Sequence, residues 1–317
     1  MKNYTVKKTS EVNVSELKSF YKNSYRSRGT IFSENYRWFY KSDFIEETPL
    51  VICDKELIVG HAGILSDTFI FNGKEYKFIW LTDLIIISSH RKLGLGNQLV
   101  KEWMLISENQ ITIPNDIALN IYKKFNWKES NQIARYVYPT IIEKIFLKKI
   151  FKEKYPKLKF FKIDKNIVKD ISGIEKLNKS SNGLMILRNE DWFDWRFLQC
   201  PFIEDLTCFQ YENQFIIAQT FREKNKDRIH ILYSTEKYLE KSDIFELLKI
   251  WAINNGIKYL WYISNIQNIK SNPISFMLKK KMNFAFNSSS PELTEQLKKG
   301  IMNIQGADSD SGHLILF

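Results

Sequence analysis

The chain has 317 residues, 44% of them hydrophobic, which suits two domains with sizeable cores better than one. Its formal net charge of +11 fits anionic small molecules, but it would equally fit RNA or an anionic membrane surface. No apolar run approaches the ~18 residues of a membrane span, and Met1-Lys2-Asn3-Tyr4-Thr5 carries no hydrophobic signal region. The 3 cysteines (Cys53, Cys200, Cys208) and 4 histidines lack metal-ligand spacing. The expectation is a cytoplasmic protein with buried thiols and no metal.

In chain order, residues 14–25 carry a helical pattern, and Tyr36, Trp38 and Tyr40 form an aromatic cluster suited to packing beneath a sheet. Residues 50–53, 57–64 and 75–88 read as strands, with Asn72-Gly73 as a hairpin turn between the last two. Asp83 is the only acid between Glu75 and Arg91 and has apolar neighbours. Such surroundings raise a carboxyl pKa and suit a general base. An equally open reading has Asp83 orienting Thr82, and His61 and His90 are alternative bases. The run Leu84-Ile85-Ile86-Ile87 then leads into Arg91-Lys92-Leu93-Gly94-Leu95-Gly96, and Asn97 opens a helical stretch over 97–107. A strand, a basic glycine-bearing loop and a helix N-terminus together form a pyrophosphate site. No Gly-Lys-Ser/Thr closes the loop and the third glycine of a dinucleotide fingerprint is missing, so neither of those motifs applies.

Downstream, Pro114 precedes Asn115-Asp116-Ile117-Ala118-Leu119-Asn120-Ile121-Tyr122-Lys123-Lys124-Phe125-Asn126-Trp127. Helical patterning covers 116–125. Ala118 and Tyr122 are four apart and share a helix face, so a phenol projects where alanine allows close approach.

The loop matches [Arg/Gln]-x-x-Gly-x-[Gly/Ala]. The downstream segment is similar to Asn-x-x-Ala-x-x-x-Tyr-x-Lys-x-Gly-Phe, with Asn126 at the glycine position and Trp127 at the phenylalanine position. Together these motifs resemble the GNAT superfamily of N-acetyltransferases. Asparagine tolerates the left-handed backbone expected just past a helix, so Asn126 is a mild departure. The resemblance implies an α/β fold with a mixed sheet, binding acetyl-CoA as co-substrate without a metal. It places the pyrophosphate on Arg91, Lys92, Leu93, Gly94, Leu95, Gly96 and Asn97. Freed backbone N–H groups at Ile86 and Ile87 would meet the pantetheine and thioester carbonyl. Asn115 would bridge to the pantetheine, and Tyr122 would protonate the leaving sulfur.

A constant offset of 157 residues sets Glu34–Tyr40 against Asp191–Phe197, bringing Trp38 onto Trp195. The same offset carries Asn115 onto Asn272, Tyr122 onto Lys279, Asn126 onto Asn283 and Trp127 onto Phe284. The chain therefore reads as two tandem GNAT-like domains. Residues 1–140 hold the intact motifs, 141–163 form a Lys-rich connector, 164–290 a degenerate copy and 291–317 a tail. The connector holds eight Lys against two Glu. Its apolar residues in 141–155 would pack between domains or touch a membrane surface. No glycine loop follows residues 229–234, so the second copy is expected to bind no coenzyme A and to wall the acceptor pocket or support the first copy. Arg196 would face a substrate anion or solvent. Asp308-Ser309-Asp310-Ser311 lacks the glycine and distal Glu of a calcium loop and reads as a solvated turn.

These readings point to an acetyl-CoA-dependent N-acetyltransferase acting on a small-molecule primary amine, such as an amino sugar or nucleotide sugar, with no nucleic-acid partner. A Fem-type aminoacyl transferase, also a tandem of GNAT-like domains, is the alternative enzyme. A non-catalytic coenzyme A sensor or scaffold is the alternative of another class.

Overall fold

The structure is a computed structural model that describes residues 4–25, 28–41, 48–140, 154–177, 183–222, 227–265, 278–300 and 304–308. Its first part runs β1 (Tyr4–Lys8), α1 (Val14–Ser24), α2 (Gly29–Phe39), β2 (Leu50–Asp54), β3 (Leu57–Phe71) and β4 (Lys74–Ile86). It continues through α3 (Leu95–Met104), β5 (Asn109–Thr112), α4 (Asp116–Lys124) and β6 (Lys128–Pro139). Asn72 (φ 50°) and Gly73 (φ 73°) turn β3 into β4, as the Asn-Gly pair requires. Asn126 (φ 60°) ends α4 in the left-handed conformation expected of it.

The second part runs β7 (Lys159–Phe161), α5 (Lys165–Leu177), β8 (Met185–Ile186), α6 (Glu190–Phe193), β9 (Leu206–Tyr211), β10 (Gln214–Phe221) and β11 (Arg228–Ser234). It ends with α7 (Asp243–Asn254), β12 (Tyr259–Asn265), β13 (Leu278–Ser288) and α8 (Pro291–Lys299), followed by a short turn, Gly306–Asp308. With α4 set aside, the succession strand, two helices, three strands, helix, two strands recurs, with the small strand β8 added between α5 and α6. A helix matching α4 would fall on residues 266–277, outside the described residues, and so does the part of the connector from 141 to 153.

All the strands join one 13-stranded mixed sheet in the order β1-β2-β3-β4-β5-β13-β6-β12-β11-β10-β9-β7, with β8 paired to β3. The order is nearly palindromic, and the two halves have exchanged their last strands. β13 runs antiparallel to β5 (Phe286 opposite Ile111), and β6 runs antiparallel to β12 (Tyr136 opposite Tyr262). One apolar core lies beneath α1, α2 and α5 and spans both halves. A second packs α3 and α4 on the other face of β2–β4, and a third lies under α7. At the junction the indole N–H of Trp38 donates to Trp195 O (2.8 Å) and that of Trp195 donates to Trp38 O (3.0 Å). The two residues matched across the 157-residue offset therefore meet in space.

The constant offset fails toward the C-terminus. Lys279, Asn283 and Phe284 lie on strand β13, not on a helix like α4. Lys279 sits opposite Tyr136, so it does not occupy the place of Tyr122. Arg196 is neither solvated nor aimed at a ligand. It is 1% exposed, with its guanidinium carbon 5.0 Å from the Trp195 ring centre. Asp308 is also buried, not part of a solvated turn, and the residues after it lie outside the described set.

Candidate active site

Strands β4 and β5 run parallel and pair only at Ile79–Gln110 and Trp80–Ile111. Thr112 Oγ1 then donates to Leu81 O (2.8 Å), the last tie before β4 stays with β3 and β5 ends. Asp83 sits in the opening with φ 49°, at a bulge where Asp83 and Leu84 on β4 face one residue of β3. The opening is a cavity of about 480 Å³, whose wall includes Tyr25, Arg28, Asp83, Asn115, Ala118 and Tyr122.

Aromatic hydroxyls from α1 and the end of α2 surround Asp83. The Tyr40 hydroxyl donates to its Oδ2 (3.1 Å), and the Tyr25 hydroxyl lies 3.4 Å from its carbonyl. Gly63 makes this approach possible, since a Cβ there would stand 2.5 Å from both the Tyr40 ring and Thr82 Oγ1. His61 is fully buried, its Nε2 3.0 Å from the Tyr21 hydroxyl and its Nδ1 3.1 Å from that of Tyr25. Burial lowers the His61 pKa to about 3, so the ring stays neutral and serves to hold the tyrosines. Burial pushes Asp83 up to about 6, against the opposing pull of the Arg28 charge and the Tyr40 hydrogen bond. No hydrogen bond joins Asp83 to Thr82 Oγ1, and Asp83 stands in the cavity wall.

Tyr122, 2% exposed, reaches the same cavity from α4. Burial raises its pKa, opposed by a side-chain hydrogen bond with Thr112, so the phenol keeps its proton. Its ring packs on Trp127 (4.9 Å), and Trp127 stacks on Trp103 (5.2 Å), which makes the aromatic anchor structural. Asn115 Oδ1 caps α4 by accepting from Ala118 N (2.9 Å). His90 stands apart, 3.4 Å from the Asp54 carboxylate.

The loop reaches α3 through Lys92 (φ 67°) and Gly94 (φ 79°). Gly94 precedes the first turn of the helix with no side-chain cap, so the N–H groups of Leu95, Gly96 and Asn97 point outward. No heavy atom lies within 4 Å of a Cβ built on Gly94, leaving open space for a ligand. Lys92 and Leu93 are exposed, Leu95 is buried in the core, and Arg91 Nε donates to Ile86 O (3.0 Å). One expectation needs correction. The Ile87 N–H is not free, because it donates to Val59 O (3.0 Å). Alternation along the strand turns the N–H of Ile86 the other way, toward the opening.

The symmetry-related opening, between β11 and β12, is filled by the chain itself. The Gln305 side chain pairs with both backbone groups of Ser234, donating to its carbonyl (2.8 Å) and accepting from its N–H. Ile304 N donates to Asn265 Oδ1 (3.1 Å). Asp308 anchors the segment on Arg188 (Nε–Oδ1 2.7 Å), which also bonds Glu175 (2.8 Å). About 20 Å³ of cavity remains there, room for about one water molecule but not for a pantetheine arm.

Among the described residues no helix is long and apolar enough to cross a membrane. The model of the GNAT acetyltransferase family matches residues 14–127, a span that contains the bulge, the glycine loop and α4. No curated protein sequence matches the chain. Among solved structures, a GCN5-related N-acetyltransferase from Anabaena variabilis superposes with a TM-score of 0.63 at 11% identity, over 90% of this chain and 72% of its own. N-myristoyltransferase from Saccharomyces cerevisiae, solved with myristoyl-CoA, gives 0.58 at 12% identity, over 90% and 83%. A fungal glucosamine N-acetyltransferase region gives 0.56 at 9%, over 90% and 38%. At these identities the likeness establishes the fold. The family match lies over the opened, bulged strand and the loop beside it, so residues 14–127 carry a GNAT acetyltransferase-family region.

Proposed function

We propose that the chain transfers an acetyl group from acetyl-CoA to a primary amine of a small molecule, using the β4–β5 opening as its single active site. The observation that carries this reading is the presence of Asp83 and Tyr122 in one cavity, one poised to take a proton and the other to give one. A coenzyme A sensor would need neither. The Arg91–Asn97 loop and helix end would hold the pyrophosphate, and Asn115 would meet the pantetheine. Asp83 takes a proton from the incoming ammonium group, freeing the lone pair that forms the C–N bond. The Ile86 N–H faces the thioester oxygen as negative charge builds on it. As the C–S bond breaks, the Tyr122 O–H passes its proton to the departing sulfur.

The cavity must hold the thioester end and the acceptor together, so its volume favours a short acyl chain. The second half serves as a degenerate copy that completes the sheet and no longer binds cofactor. The buried cysteines fit a reducing, cytoplasmic setting.

The test is thiol release from acetyl-CoA with a panel of primary amines. Amine-dependent release is expected, falling about ten- to a thousandfold in Tyr122→Phe with acetyl-CoA affinity within a few fold. Turnover unchanged in Tyr122→Phe would remove the phenol from the chemistry. Release with no amine in the panel would overturn the function.

A further inference from the structure

Resting on that reading, the same cavity narrows the class of acceptor. Arg28 lies at the start of α2 and lines the cavity, its guanidinium carbon 5.8 Å from the Tyr25 ring centre. Its charge acts on both Asp83 and Tyr25, which places it beside the base. No ion pair joins Arg28 to a carboxylate among the described residues.

The cavity therefore presents a carboxylate and a guanidinium to one small molecule. A plain amine would use Asp83 and leave Arg28 without a role. A guanidinium fork matches a carboxylate in two parallel hydrogen bonds. We propose that the acceptor is a small amino acid, its amino group on Asp83 and its carboxylate on Arg28. Arg28 is thus the residue that determines acceptor specificity. The acetyl-accepting nitrogen and the anion belong to the same molecule, and the product is an N-acetylamino acid.

The experiment compares matched pairs, each amino acid against the amine lacking its carboxylate, with aminoalkyl phosphates as a third arm. It uses the full chain, acetyl-CoA and thiol release at pH 8.5, above the Asp83 titration. The amino acids should be favoured about ten- to a hundredfold in kcat/KM, the scale of hydrogen bonds to a charged group. Arg28→Gln should collapse that ratio through KM for the amino acid, and Arg28→Lys should restore part of it. Equal use of the paired amines overturns the inference while leaving the acetyltransferase reading intact. The same holds if Arg28→Gln weakens both members of each pair alike, since Arg28 would then act only through Asp83. A preference for aminoalkyl phosphates overturns the carboxylate assignment. Acetyl-CoA binding without transfer to any amine overturns the proposed function and this acceptor with it.

Discussion

Asp83 carries conflicting demands. Its left-handed backbone (φ 49°) bends β4 away from β5, and its side chain is held by Tyr40 where charge is disfavoured. Raised to about 6, it holds its proton more tightly in the folded chain than in the unfolded one. The stability this lends is fully present below the ordinary carboxylate pKa and is lost as pH rises through about 6. Activity runs the other way, since the base form appears over the same interval. Asp83→Asn should therefore remove a rising limb near pH 6 from the kcat/KM profile and lower kcat by about ten- to a thousandfold. It should also raise Tm at pH 8, with the gain vanishing near pH 4. A variant that keeps the limb, or melts lower than the parent at pH 8, contradicts this account of Asp83. The loop residues, Asn115 and Tyr122 stand out in the sequence as parts of contiguous motifs and Asp83 as the only acid between Glu75 and Arg91, and the structure brings Asp83, Asn115 and Tyr122 to one cavity. Tyr25, Arg28 and Tyr40 were not recognised as site residues, because separate elements bring them together, and His61, read as an alternative base, instead holds the tyrosines. The available signal was Gly60 and Gly63 inside one strand, where glycine marks a close approach.

At the scale of elements, local pattern located α1, α3, α4 and the core strands, but not the full length of β3, whose distal end is largely buried and pairs with β8 of the other half. The tail misled for a similar reason. Ser and Asp at 308–311 look solvated locally, and only the buried Arg188 explains the burial of Asp308. The Ile304–Asp308 segment replaces in the second opening the hydrogen bonds that a bound pantetheine would make in the first. Asp308→Asn with Gln305→Ala should then destabilise the protein by about 3 kcal/mol, the scale of a broken buried ion pair. Amide exchange should quicken at the ends of β11 and β12, around Ser234 and Asn265. Unchanged exchange at those residues would mean that the tail does not hold the opening shut.

Across the whole molecule, the exchange of β6 and β13 was invisible in the sequence. Alternating apolar residues show that a strand exists and which face is buried, but not which half of a repeat it will pair with. The consequence is that neither half closes its sheet alone. Without the second half, β5 loses its antiparallel neighbour β13, and β6 loses both of its neighbours, β13 and β12. The two tryptophans matched by the 157-residue offset, Trp38 and Trp195, meet in space. Symmetry supplies two openings, one of about 480 Å³ beside a glycine loop and one reduced to about 20 Å³ by the tail. The most direct measurement is titration calorimetry of the full chain with acetyl-CoA. One site per chain is expected, abolished when Gly94→Asp and Gly96→Asp are combined. Two equivalent sites, or binding unchanged in that double variant, would contradict a single active centre in the β4–β5 opening.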